Sequence, residues 1–137
     1  AFESAVGGKF AIDLDDRPKL FTVRGRAQAK DGRIHTDSLT KIITVLVYLN
    51  PGWESGGGRL RVLRGPDDLS NFAAEIEPLA GTLFAFRRSD KSFHGHEPFE
   101  GERRAIQLNW MTNVKVRNRE ISRHRLSSRL KRLLPIG

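Results

Sequence analysis

The 137-residue sequence predicts an all-β sandwich or barrel with a basic helix at its C-terminal end. Three observations predict it. Short apolar segments of alternating pattern recur along the chain, separated by turns rich in Gly, Pro and Asp. Nothing before residue 112 has the length and period of a long helix, which argues against strand–helix–strand units. From residue 118 the pattern changes, and apolar residues recur at loose helical spacing among arginines.

Taken in order, residues 1–8 are small and Gly-rich and read as a loop. Residues 9–14 place Phe10, Ile12 and Leu14 on one side, the mark of a half-buried strand. Asp15, Asp16 and Pro18 form a turn, since Pro cannot donate to a strand ladder and Asp favours turn geometry. Residues 20–24 are a second short strand, and Lys30-Asp31-Gly32 is a turn. Residues 41–49 are the strongest strand: β-branched, almost continuously apolar, and stopped by Asn50-Pro51-Gly52. That continuity predicts burial on both faces. Gly56, Gly57 and Gly58 separate it from a strand at 59–64. Residues 71–74 read as a helical turn or an edge strand, and 82–86 and 103–111 as further strands. In the last segment Ile121, Leu126, Leu130, Leu133 and Leu134 keep a helical rhythm until Pro135 ends it. We therefore expect a β body at 1–112 and a basic helical tail of the same domain at 113–137.

Composition narrows the chemistry. A chain of this length can bury a core without disulfides or a structural metal. With no cysteine, zinc–thiolate sites, iron–sulfur clusters and thiol nucleophiles are excluded. There is no apolar run of membrane-spanning length and no signal-like N-terminal stretch, so the expectation is a soluble cytoplasmic protein. The net charge of +8 belongs mostly to the end of the chain. Residues 115–137 hold eight Lys and Arg against Glu120 alone, 8 − 1 = +7, which leaves +1 for the body. A tail of this kind can meet nucleic acid, but the near-neutral body disfavours that as the main function.

Two histidine-bearing segments bracket the body. The first is His35-Thr36-Asp37, whose outer residues share one face of an extended chain. The second is His94-Gly95-His96. Two histidines and one carboxylate that leave open positions form the ligand set of non-haem Fe(II) oxygenases. A lone His-x-Asp is weak, since either residue serves more often as a cap or surface group. The two sparse segments together, each at a strand edge, are stronger. Gly56-Gly57-Gly58 lacks the Lys-Ser/Thr of a phosphate loop and reads as a turn.

The order of several segments between residues 33 and 111 resembles the 2-oxoglutarate- and Fe(II)-dependent oxygenases, in their prolyl 4-hydroxylase-like branch. They are His35-Thr36-Asp37, Tyr48-Leu49-Asn50, Gly57-Gly58-Arg59-Leu60, 81–86, His94 with Pro98 beyond it, and Arg103-Arg104-Ala105-Ile106 with Trp110. The resemblance implies a double-stranded β-helix (jelly roll) in which His35, Asp37 and a distal histidine bind Fe(II). His94 matches by its distance from Pro98, with His96 as the alternative. It also implies an arginine that pairs with the far carboxylate of 2-oxoglutarate through its planar fork. Arg104 is the expected anchor and Arg103 the alternative, because neighbours on a strand face opposite ways and only one can enter the barrel. Tyr48 is expected to donate to the same carboxylate, and Thr44 to line the pocket.

The implied cofactors are Fe(II), 2-oxoglutarate and O2, with ascorbate admitted. The implied reaction hydroxylates a C–H bond of a peptide, prolyl-type, or of a small molecule, with release of succinate and CO2. The competing reading is a catalytically silent jelly-roll module whose basic tail docks on nucleic acid or a protein. One departure is visible: where many relatives carry a tyrosine upstream of the first histidine, this chain has residues 26–30, so Gln28 or Arg26 substitutes for it or nothing does.

Overall fold

The computed structural model describes residues 1–133, with side chains to residue 123. Its centre is β2 (Lys41–Tyr48), the most apolar run of the chain, which pairs on both edges. One neighbour is β5 (Leu83–Arg87) and the other is β7 (Gly101–Met111). Beyond β7 lies β1 (Lys19–Ala27), which completes a four-stranded sheet of order β1-β7-β2-β5. A second sheet of three strands has the order β4-β3-β6, built from β3 (Leu60–Leu63), β4 (Phe72–Ile76) and β6 (His94–Gly95). Every pairing within these sheets is antiparallel. The expected jelly-roll architecture is present.

Alternation along β2 sends residues to two different environments, as its unbroken apolar character predicts. Ile43 and Val45 face one side and pack with Val6, Leu14, Leu108 and Trp110 in the main apolar core. Thr44, Leu46 and Phe86 of β5 face the other side and line a cavity. The large sheet thus separates a dry core from a polar interior, and this division positions the site.

The core is covered by an element the sequence pattern concealed. Residues 1–8 are not a loop and 9–14 are not a strand; they hold α1 (Phe2–Phe10) and its exit. Phe2, Val6 and Phe10 recur every four residues and so share one helix face. Phe2 stacks on Trp110 at 6.3 Å, and Glu3 accepts a hydrogen bond from the Trp110 indole at 3.0 Å. Ala11, in the left-handed region (φ 52°), ends the helix, and Ile12 donates back to the Gly7 carbonyl at 3.0 Å. Phe10, Ile12 and Leu14 all still reach the core, so the alternating triplet reported burial correctly and shape wrongly.

Elsewhere the expected strands are found with shifted ends. β1 runs on to Ala27 through a bulge between Arg24 and Arg26, and residues 72–76 take the edge-strand option. The basic tail is helical as α2 (Val114–Leu133); the expected stop at Pro135 lies outside the described residues. Among the described residues no helix is long and apolar enough to cross a membrane.

Candidate active site

The two histidine-bearing segments meet through the backbone. His35 donates to the His94 carbonyl at 3.1 Å, and His94 donates to the His35 carbonyl at 3.0 Å, an isolated antiparallel bridge. Residues paired this way project to the same side of the ladder, and their rings lie 4.3 Å apart. Asp37, two residues on, faces the same way. One ligand atom from each of His35, Asp37 and His94 lies within 4.8 Å of the other two. Among the described residues this is the group of donors close enough for a metal ion.

Both rings are presented in the form a metal needs. His35 Nδ1 donates to the Arg33 carbonyl at 2.7 Å and His94 Nδ1 to the Ser92 carbonyl at 2.9 Å. With the proton held on Nδ1, each Nε2 keeps a free lone pair. Burial lowers the pKa of His94, so its ring stays neutral. Asp37 sits between opposing effects. Burial alone would raise its carboxyl, but Lys41 (2.9 Å) and the Thr44 hydroxyl (2.5 Å) outweigh it and hold the group below the usual range. Two imidazoles and a carboxylate converge, and this donor set fits a divalent metal with open positions.

His96 lies in the same cavity wall but outside the ligand group. Its ring lies against Gly32, where an added Cβ would come within 2.3 Å of it. Gly32 also has φ +84°, so the position requires glycine twice over. Of the two expected distal histidines, the geometry therefore groups His94 with the others.

The two candidate arginines go to different places. Arg103, at 9% exposure, faces inward and lines the cavity, whereas the Arg104 side chain is 52% exposed and pairs with Glu102 at 2.7 Å. The cause is a register clamp. Asn50, buried at the end of β2, accepts the Arg104 N–H at 2.7 Å and donates to its carbonyl at 3.1 Å. With the Arg104 backbone held on this side, Ala105, Gln107 and Asn109 turn inward with Arg103. Arg103 Nε donates to the Gly58 carbonyl at 2.8 Å and Nη2 to the Tyr48 hydroxyl at 3.2 Å. Tyr48 is fully buried, is not among the residues that line the cavity, and accepts the hydrogen bond from Arg103. Thr44 lines the cavity as expected, and of the two substitutes for the upstream tyrosine Arg26 does so too, while Gln28 does not.

Among the lining residues that the sequence did not single out are Arg24, Lys41 and Gln107. Each carried a usable signal. Arg24 follows Leu20 and Thr22 on one face of β1, Lys41 stands one helical turn's distance after Asp37, and Gln107 shares its strand face with Arg103.

A family model described as the 2OG-Fe(II) oxygenase superfamily matches residues 22–112, which include the ligand group and Arg103. The chain belongs to that superfamily. Among solved structures it is similar to a prolyl-4-hydroxylase of Pseudomonas putida, with 23% identity and a TM-score of 0.58, over 80% of this chain and 60% of that one. It therefore spans less than two thirds of that relative, and at this identity the likeness speaks for the fold alone. A structure from work on disulfide-linked Bacillus endospore appendages aligns at 12% identity over 74% of this chain and 95% of the other, with a TM-score of 0.38. None of the curated proteins matches the chain. For this superfamily member the fold, the converging donors and the buried arginine coincide in one cavity.

Proposed function

We propose that the protein is an Fe(II)- and 2-oxoglutarate-dependent dioxygenase that hydroxylates a C–H bond of a prolyl-type peptide or a small molecule. The observation that carries this is the grouping of His35, Asp37 and His94 in the cavity that Arg103 also enters. His35 and His94 would hold the iron through Nε2 and Asp37 through one carboxylate oxygen, the other staying with Thr44 or Lys41. Bound iron supplies the oxidative decarboxylation of 2-oxoglutarate to succinate and CO2, coupled to substrate oxidation.

The chain's own side chains bind and orient. Arg103 would take the far carboxylate of 2-oxoglutarate, with Nε and one Nη2 hydrogen already committed and the remaining donors free for the ligand. Burial keeps the Tyr48 phenol protonated, its pKa raised despite Arg103, so it braces the guanidinium without adding charge. Phe86 packs its ring 4.8 Å from that of His94 on one wall of the same cavity. The similarity to a protein named as a prolyl-4-hydroxylase favours a prolyl substrate among peptides.

The test is succinate formation with Fe(II), 2-oxoglutarate, O2 and a panel of prolyl peptides and free amino acids. The wild type should form succinate in step with one hydroxylated product, and Asp37→Ala should form none. Tight 2-oxoglutarate binding without succinate from any member would instead support the silent binding module.

A further inference from the structure

We infer that the substrate presents an anionic oxo group, a carboxylate or a phosphate, to Arg24 and Arg26 at the wall of the cavity. This rests on the oxygenase reading and deepens it.

The cavity, about 250 Å³, is lined by four cationic side chains, Arg24, Arg26, Lys41 and Arg103, against two carboxylates, Asp31 and Asp37. The histidines add no charge while neutral. A divalent iron and the dianion of 2-oxoglutarate would cancel each other and leave the same excess of two positive charges. Two of the four cations have work there already: Arg103 with the cosubstrate, and Lys41 with Asp37 at 2.9 Å. Arg24 has no such task, and Arg26 is committed only if it stands in for the upstream tyrosine. Arg24 makes one long hydrogen bond to Gln107, at 3.3 Å. Among the described residues Arg26 makes no side-chain hydrogen bond, and neither arginine has an ion pair.

Both arginines are solvent-exposed, on either side of the bulge in β1, and both line the one cavity, where their like charges meet in mutual repulsion. An anion between them reverses its sign, and two planar forks suit an oxo group in particular. Edge strands often carry charge to block pairing with other chains, and β1 is an edge. That role needs charges only somewhere along the edge; here both line the cavity that holds the ligand group. Arg24 also lines a second cavity beside α2, together with Lys41 and the ion-paired Glu120 and Arg123, 3.1 Å apart.

The test reads the arginines themselves. Protein labelled with 15N-arginine, loaded with Zn(II) as a diamagnetic stand-in and with saturating 2-oxoglutarate, is titrated with acetate in one arm and methyl phosphate in the other. The Nε–H resonances of Arg24 and Arg26 are assigned through Arg24→Lys and Arg26→Lys. At least one anion should shift both resonances saturably, and the double variant Arg24→Gln, Arg26→Gln should weaken it at least tenfold, while Arg24→Gln alone changes 2-oxoglutarate affinity less than twofold. The tighter arm names the source, an amino-acid or peptide carboxylate or a phosphorylated substrate. If neither anion moves the resonances, or the double variant binds as well as wild type, the inference is overturned. Failure of 2-oxoglutarate itself to bind is a separate result, and it would sink the oxygenase reading and this inference with it.

Discussion

The Arg103 guanidinium donates to the Tyr48 hydroxyl at 3.2 Å and lies 5.2 Å from the centre of the same ring. One buried tyrosine thus holds one buried arginine by its oxygen and by its face. The two strands that carry them are neighbours, with Tyr48 paired to Ala105. The contact turns the register of two strands into the aim of a single cation.

Replacing that cation should therefore separate the two adjacent arginines. Arg103→Gln should weaken 2-oxoglutarate about tenfold to a hundredfold, the roughly 1.5–3 kcal/mol of a hydrogen bond to a charged group. Arg104→Gln, on the outer face, should change it less than twofold. Calorimetric titration of 2-oxoglutarate into the metal-loaded protein reads both.

Tyr48→Phe keeps the ring and removes the oxygen that accepts from Arg103. Stability should fall by about 1 kcal/mol, the usual net worth of one hydrogen bond, and 2-oxoglutarate affinity should fall less than in Arg103→Gln. Urea unfolding and the same titration give the two values. An effect on affinity as large as that of Arg103→Gln would mean the phenol touches the ligand directly.

Gly58 accepts from Arg103 Nε and has φ +74°. An added Cβ would stand 2.6 Å from the Trp53 ring and 3.0 Å from Phe99. Gly58→Ala should cost about 1–3 kcal/mol through overpacking, with further strain from the left-handed backbone. It should also loosen the Arg103 carbonyl contact, so the chemical unfolding midpoint and 2-oxoglutarate affinity should fall together.

Much of the site could be read from the sequence because its spacing is local. His35 and Asp37 share a face by strand alternation alone, and the apolar run at β2 announced a strand with two buried faces. The choice between Arg103 and Arg104 was different. Alternation fixed only that one of them enters, and the decision lies with Asn50, a side chain distant in sequence that clamps the Arg104 backbone. The N-terminal helix was hidden for a different reason. Phe10, Ile12 and Leu14 alternate like a strand, and Gly7 and Gly8 weaken the helical signal, yet packing of Phe2 and Val6 on the sheet outweighs propensity.

The protonation of His94 gives a pH dependence of defined sign. Burial depresses its folded pKa below the ordinary value of 6.5, so in acid the unfolded chain takes up a proton the folded chain resists. Stability of the metal-free protein should therefore fall as pH drops from 6.5 toward the depressed folded value. Asp37 acts lower. Its folded pKa is below 3.8, so its contribution is present above 3.8 and disappears as pH falls through the folded value. Urea unfolding in chelator between pH 7.5 and 5 should show the first decline, and His94→Gln should flatten it.

The central claim is that His35, Asp37 and His94 hold one iron beside 2-oxoglutarate. Anaerobic addition of Fe(II) and 2-oxoglutarate tests it most directly, through the weak visible charge-transfer band of the chelate. The wild type and His96→Ala should develop the band, and His35→Ala, Asp37→Ala and His94→Ala should not. A wild type without the band, or a band that survives loss of Asp37 or depends on His96 instead of His94, would contradict the assignment.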